Sequence, residues 1–91
     1  MVLVLCEVHP GVGKVDASVA VRDTTNVRTF LQVDRDFVTQ RQGKHYLPVG
    51  LVYRDKGKGV ALIEFPVEAD SGAHRVWVPL SSLLDPNGAP T

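Results

Sequence analysis

Few residues in this chain have the types and spacings that do chemistry. Cys6 and His9 lie close in sequence, and a thiolate beside an imidazole makes a zinc pair or a nucleophile with its base. Their odd separation on an extended strand puts them on opposite faces, and His45 and His74 stand alone. The plain reading is a buried cysteine and surface histidines, with no metal site and no cofactor. Gly11-Val12-Gly13-Lys14 looks like the end of a phosphate loop, which needs an earlier glycine, a Ser or Thr after the lysine and a helix. Here Val15 comes next and opens a strand pattern, so the run reads as a hairpin turn. Ser81-Ser82 lacks the flanking glycines of a nucleophile elbow and reads as the cap of a short turn. Glu64, Glu68 and Asp70 would gather at one end of a small barrel. Carboxylates take acid–base roles only where burial splits their pKa values, and Glu68 and Asp70 fall in a polar turn. No catalytic residue is assigned, and the chain is expected not to be an enzyme. A catalytic site formed only at an oligomer's symmetry axis would leave no local motif.

Two kinds of surface remain. The first is basic. Residues 35–58 carry Arg35, Arg41, Lys44, Arg54, Lys56 and Lys58 against Asp36 and Asp55, a balance of +4. Residues 59–91 carry Arg75 against Glu64, Glu68, Asp70 and Asp85, a balance of −3. The basic residues come from two loops, 35–45 and 54–58, expected at one end or side of the domain. Tyr46 and Tyr53 flank them and would stack on bases. The plain alternative is that these charges keep loops solvated and strand edges from aggregating. The whole chain is neutral, with ten basic and ten acidic residues, so no global field draws it to nucleic acid or anionic membrane. The second surface is apolar. Phe30, Trp77 and the outer residues Leu3 and Leu5 of the first hairpin exceed what one small core is expected to hide, and such patches mark partner surfaces. The competing account is a barrel that uses all of them internally.

The elements that must position these residues are strands. Ninety-one residues make one domain, and a chain of this size buries roughly 60–65% of its unfolded surface. The apolar set is rich in valine, which suits a pleated surface. Residues 2–9 and 15–22 alternate and form a first hairpin; residues 27–33 alternate again, with Phe30 out of place on a polar face. Residues 34–45 read as a long loop, with a short strand at 37–40. Residues 46–53, 60–65 and 74–79 are three further strands, the first apolar on both faces, with Pro48 and Gly50 signalling an edge and a bend or bulge. Residues 80–84 fit one 3₁₀ turn. Residues 1–84 are therefore a single all-β domain and 85–91 a flexible C-terminal tail. The single cysteine and the lack of any apolar span point to a cytoplasmic protein with no membrane partner.

The order strand, turn, strand, turn, strand, and then Val78-Pro79-Leu80-Ser81-Ser82-Leu83, resembles the second half of an SH3-like barrel. The resemblance covers residues 46–84. It implies a small antiparallel barrel of five to six strands whose last long strand ends in a valine–proline step, a 3₁₀ turn and a closing strand. The acidic-aromatic opening and groove aromatics of peptide-binding SH3 domains are absent, so proline-rich ligands are not implied. The function expected is a non-enzymatic protein-interaction or self-association module, its partner another protein or a homo-oligomer. The alternative is a nucleic-acid-binding barrel using the basic loops.

Overall fold

Alternation becomes strand wherever the sequence shows it. The structure is a computed structural model that describes residues 1–10 and 16–91; the Gly11-Val12-Gly13-Lys14 run lies outside them. The strands are β1 (Val2–Pro10), β2 (Asp16–Arg22), β3 (Arg28–Asp34), β4 (Thr39–Arg41), β5 (Lys44–Asp55), β6 (Val60–Glu64), β7 (Arg75–Pro79) and β8 (Leu83–Leu84). Strand takes 59% of the described residues and helix 7%, all of it 3₁₀, at Arg35–Phe37 and Leu80–Ser82. Among the described residues eight strands stand where five to six were expected, because β4 and β8 are too short to show a period.

All strand pairs are antiparallel, in the order β3-β2-β1-β5-β6-β7, with β4 on β5 and β8 on β1. Two strands change neighbours along their length. β1 pairs β5 through Val2–Cys6, while its other edge takes β8 at Leu3 and Val4 and then β2 from Glu7 onward. β5 pairs β1 up to Val49 and β6 from Gly50. Each change bends the strand, and the sheet curls into a half-barrel. Pro48 sits where β5 has β1 on one edge and, among the described residues, no partner on the other, between the end of β4 and the start of β6.

The concave face holds the core. Val4, Val19, Val21, Leu31, Leu47, Ile63, Val78 and Leu83 are all but inaccessible and pack as one cluster with Val2, Cys6, Val49 and Phe65. Each such side chain is worth about 1.5–3 kcal/mol of burial. The free edges of the half-barrel, β3 and β7, are tied by loops. Thr24 N–H donates to the Trp77 carbonyl at 2.9 Å, and Asp70 N–H donates to the Phe30 carbonyl at 2.8 Å. Each loop leads into one edge strand and bonds the other, which blunts both edges.

Turn chemistry sets the connections. Asp23 accepts from Thr25 N–H, Thr25 Oγ1 and Val27 N–H at 2.9, 2.7 and 3.0 Å. Gln42 and Gly43 both have positive φ, 53° and 78°, as the two-residue β4–β5 hairpin requires. Residues 85–91, expected to lack an anchor, fold back on β8. Asp85 accepts from Asn87 and Ala89 N–H at 2.9 Å each, and a bridge joins Leu84 to Pro90.

Candidate functional site

One irregularity in β5 decides which side chains reach the surface. Leu47, Val49 and Leu51 turn toward the core, so unbroken alternation would send Tyr53 there too. Val52 is an extra residue: Leu51 pairs Ile63, but Tyr53 pairs the next residue, Leu62. The bulge reverses the parity of the residues beyond it. Tyr53 turns outward and is 56% exposed, while Arg54 lies opposite the buried Ala61. Arg54 is half-buried, and its Nε is covered with no hydrogen-bond partner among the described residues.

The outer face of β5, β6 and β7 then carries a row of three residues in register, Tyr53, Leu62 and Trp77. The two rings meet edge to face, 6.3 Å apart and 81° between planes. Trp77 is 42% exposed, Leu62 is half-buried between the rings and Val52 is exposed beside them. On one side the row is bounded by the Glu64–Arg75 ion pair at 3.0 Å. On the other lie Asp55, Val60 and Pro79, beyond which the hairpin holds Lys56 and Lys58. Both lysines are exposed and neither enters an ion pair among the described residues. Asp55 fixes that hairpin by accepting from Lys58 N–H at 3.1 Å. At the far end of β6 the 66–72 loop presents Glu68 and Asp70. It is anchored by buried Ala69, by the Asp70–Phe30 bond and by Gln32 Nε2 to Asp70 Oδ2 at 3.3 Å.

The apolar residues expected to share a patch lie apart. Trp77 is in the aromatic row. Leu3 is buried, contrary to expectation, because β8 and Pro48 flank it: it pairs Leu84 on one side and Pro48 on the other. Leu5 is partly exposed, in a cavity of about 240 Å³ between β8 and β2 that also takes in Cys6, Glu7, Ala20, Arg22 and Ser82. Phe30 is half-buried, its ring 6.5 Å from His9 and 5.7 Å from the Arg28 guanidinium, its carbonyl held by the 66–72 loop.

The basic residues divide likewise. The hairpins that hold Arg41 with Lys44 and Lys56 with Lys58 cap opposite ends of β5, separated by roughly 36 Å along the strand. Arg35 donates to the Asp16 carbonyl at 3.4 Å, and Arg41 lies against the Gly88 turn. Tyr46 is buried between Leu5 and Thr39, so its ring is closed to a stacking base; Tyr53 is the open one. The expected single basic end is thus two.

Cys6 is buried and His9 is exposed, and burial pushes the Cys6 thiol up to about 12. Ser82 Oγ donates to the Pro79 carbonyl at 2.8 Å as a turn cap. Glu64 is paired with Arg75 and Asp70 with Gln32. Among the described residues no three His, Cys, Asp or Glu are placed to hold a metal ion, and no helix is long and apolar enough to cross a membrane. No family model, curated protein or solved structure matches this chain.

Proposed function

We propose that this chain is a non-enzymatic self-association module built on an SH3-like barrel. It docks a second copy of itself across Tyr53, Leu62 and Trp77. The barrel assignment rests on the succession of β5, β6 and β7, the Val78-Pro79 step, the 3₁₀ turn at Leu80–Ser82 and the closing strand β8. The observation that carries the function is the exposed aromatic row with unlike charges on its two sides. Lys56 and Lys58 lie beyond one end of β6 and Glu68 and Asp70 beyond the other. A two-fold, face-to-face pairing with the two β6 strands antiparallel sets the lysines of each copy against the carboxylates of the other. Such a patch is self-complementary, as an isologous interface requires. A Tyr and a Trp supply large contact area at small entropic cost.

The experiment is sedimentation of the wild type and of Trp77→Ala at moderate salt. Wild type is expected as a dimer and the variant as a monomer, with its circular dichroism unchanged because Trp77 is an exposed edge-strand residue. Loss of one central aromatic anchor costs on the order of 2 kcal/mol, or about thirtyfold in dissociation constant. A wild type that stays monomeric at high concentration would refute the reading.

The free lysines beside Tyr53 and Trp77 favour a second reading, stacking of single-stranded nucleic acid on the same rings. That reading requires a mixed-sequence oligonucleotide to bind wild type at low salt and to bind Lys56→Glu/Lys58→Glu more weakly with a flatter salt dependence. No binding at low salt would end it.

A further inference from the structure

A second site lies at the mouth of the half-barrel, away from the aromatic row. The ladder between β1 and β5 ends at the Cys6–His45 pair, so β1 runs on past the start of β5. β4 flanks His45 on its other side, with Gln40 as its partner, and the 3₁₀ turn at Arg35–Phe37 leads into β4. These elements border an open cavity of about 460 Å³ lined by Val8, His9, Arg35, Val38, Gln40 and His45. That volume falls within the range of small-molecule sites, which favour barrel mouths.

The strand period sets the position of Val8, Val38, Gln40 and His45. Val8 lies two residues beyond core residue Cys6, and His45 two before core residue Leu47, so both continue the concave face. Gln40 is in register with His45 and Val38 packs on the core, so both share that face. On the concave side a guanidinium, an imidazole and a carboxamide each offer N–H donors, and among the described residues no carboxylate lines the cavity. Arg35 has only a carbonyl partner, at 3.4 Å, and enters no ion pair among the described residues, so most of its donor fork is free. The neighbouring carboxylate of Asp34 is occupied by Asp36 N–H at 2.9 Å.

We infer that this mouth binds a small anionic ligand, its phosphate or carboxylate group held by Arg35, His45 and Gln40 and its apolar part by Val8 and Val38. A guanidinium fork with imidazole and amide donors suits the oxygens of such a group, and the valine walls exclude water from one side of it. The site shares no residue with the aromatic row, so either can fail without the other.

The test is a titration of isotopically labelled protein with inorganic phosphate, with acetate in a second arm and chloride at matched ionic strength as control, monitored through amide and imidazole resonances. The expected result is saturable shifts at Val8, His9, Arg35, Val38, Gln40 and His45 in at least one arm, with chloride silent. Saturation by phosphate alone assigns a phosphoryl ligand, and by acetate alone a carboxylate. Arg35→Gln, at an exposed position, is expected to weaken binding roughly tenfold, and His45→Gln to do so independently. Lys56→Gln/Lys58→Gln is expected to bind as wild type. Shifts that rise linearly without saturating, that match those in chloride, or that centre on Lys56 and Lys58 would overturn the inference.

Discussion

Cys6 gives the most direct measurement of how tightly the centre of the sheet is closed. The thiol lies on the core face of β1, 7% exposed, and burial raises its pKa from 9.0 to about 12. A group whose pKa is higher folded than unfolded contributes stability in full below the unfolded value and loses it as pH rises toward the folded value. For Cys6 that window runs from pH 9.0 to about 12. At pH 8 the thiol is protonated in both states. At pH 10 the unfolded thiol is about nine-tenths ionised and the folded one is neutral, so the wild type loses about 1.4 kcal/mol between these pH values. The assay is urea unfolding at pH 8 and pH 10, for wild type and for Cys6→Ala. The variant loses some packing at both pH values but lacks the thiol, so subtracting it removes contributions from lysines and tyrosines. With m about 1 kcal/mol/M for a domain of this size, the wild-type midpoint should fall by over ~1 M more than that of the variant. Parallel falls in the two proteins would refute the reasoning, because they would mean that the folded thiol ionises as readily as the unfolded one.

Two further predictions concern turns. Hydrogen bonds from Thr25 and Val27 hold the Asp23 carboxyl below its ordinary value of 3.8, so they stabilise the fold above that pH and fade as pH falls below it. Asp23→Ala should cost about 1 kcal/mol at neutral pH in chemical denaturation and should flatten the acid limb. Gly59 and Gly50 should respond oppositely to alanine. Gly59 has φ of 69° with open space around it, so Gly59→Ala costs about 1 kcal/mol of backbone strain. Gly50 is free of positive φ and an added Cβ would meet Glu64 Cβ at 3.6 Å, so Gly50→Ala should be neutral or stabilise by up to about 1 kcal/mol; equal effects in thermal melts would contradict both assignments.

The long strands were legible because one buried face imposes period two: Val19, Val21, Leu31, Val33 and Ile63 declare their face without tertiary information. The 3₁₀ turn at Leu80–Ser82 was legible from the preceding proline. The features that escaped depend on pairing. β8 is two residues long, yet it flanks Leu3 and turns an expected surface residue into a buried one. The bulge at Val52 has no composition signal, because Leu-Val-Tyr fits a regular strand equally well, and parity past it cannot be read locally. That residue exposes Tyr53 and draws Arg54 inward. Val8 and His45 are distant in sequence and line one cavity only because the β1–β5 ladder ends beside them.

The loops that close the half-barrel also bear on the proposed interface. A charged loop that must be ordered on docking spends conformational entropy and weakens the complex. Here the charged segments on both sides of the aromatic row are already tethered. The acidic segment is anchored by buried Ala69 and by the Asp70 N–H on Phe30, and the basic hairpin by Asp55 on Lys58 N–H. The Thr24 N–H on the Trp77 carbonyl fixes the strand that bears the tryptophan, and Tyr53 meets the indole edge to face. The bonds that tie β3 and β7 therefore blunt the edges against indiscriminate strand pairing while leaving one ordered face open, so that association through side chains is favoured over association through backbone.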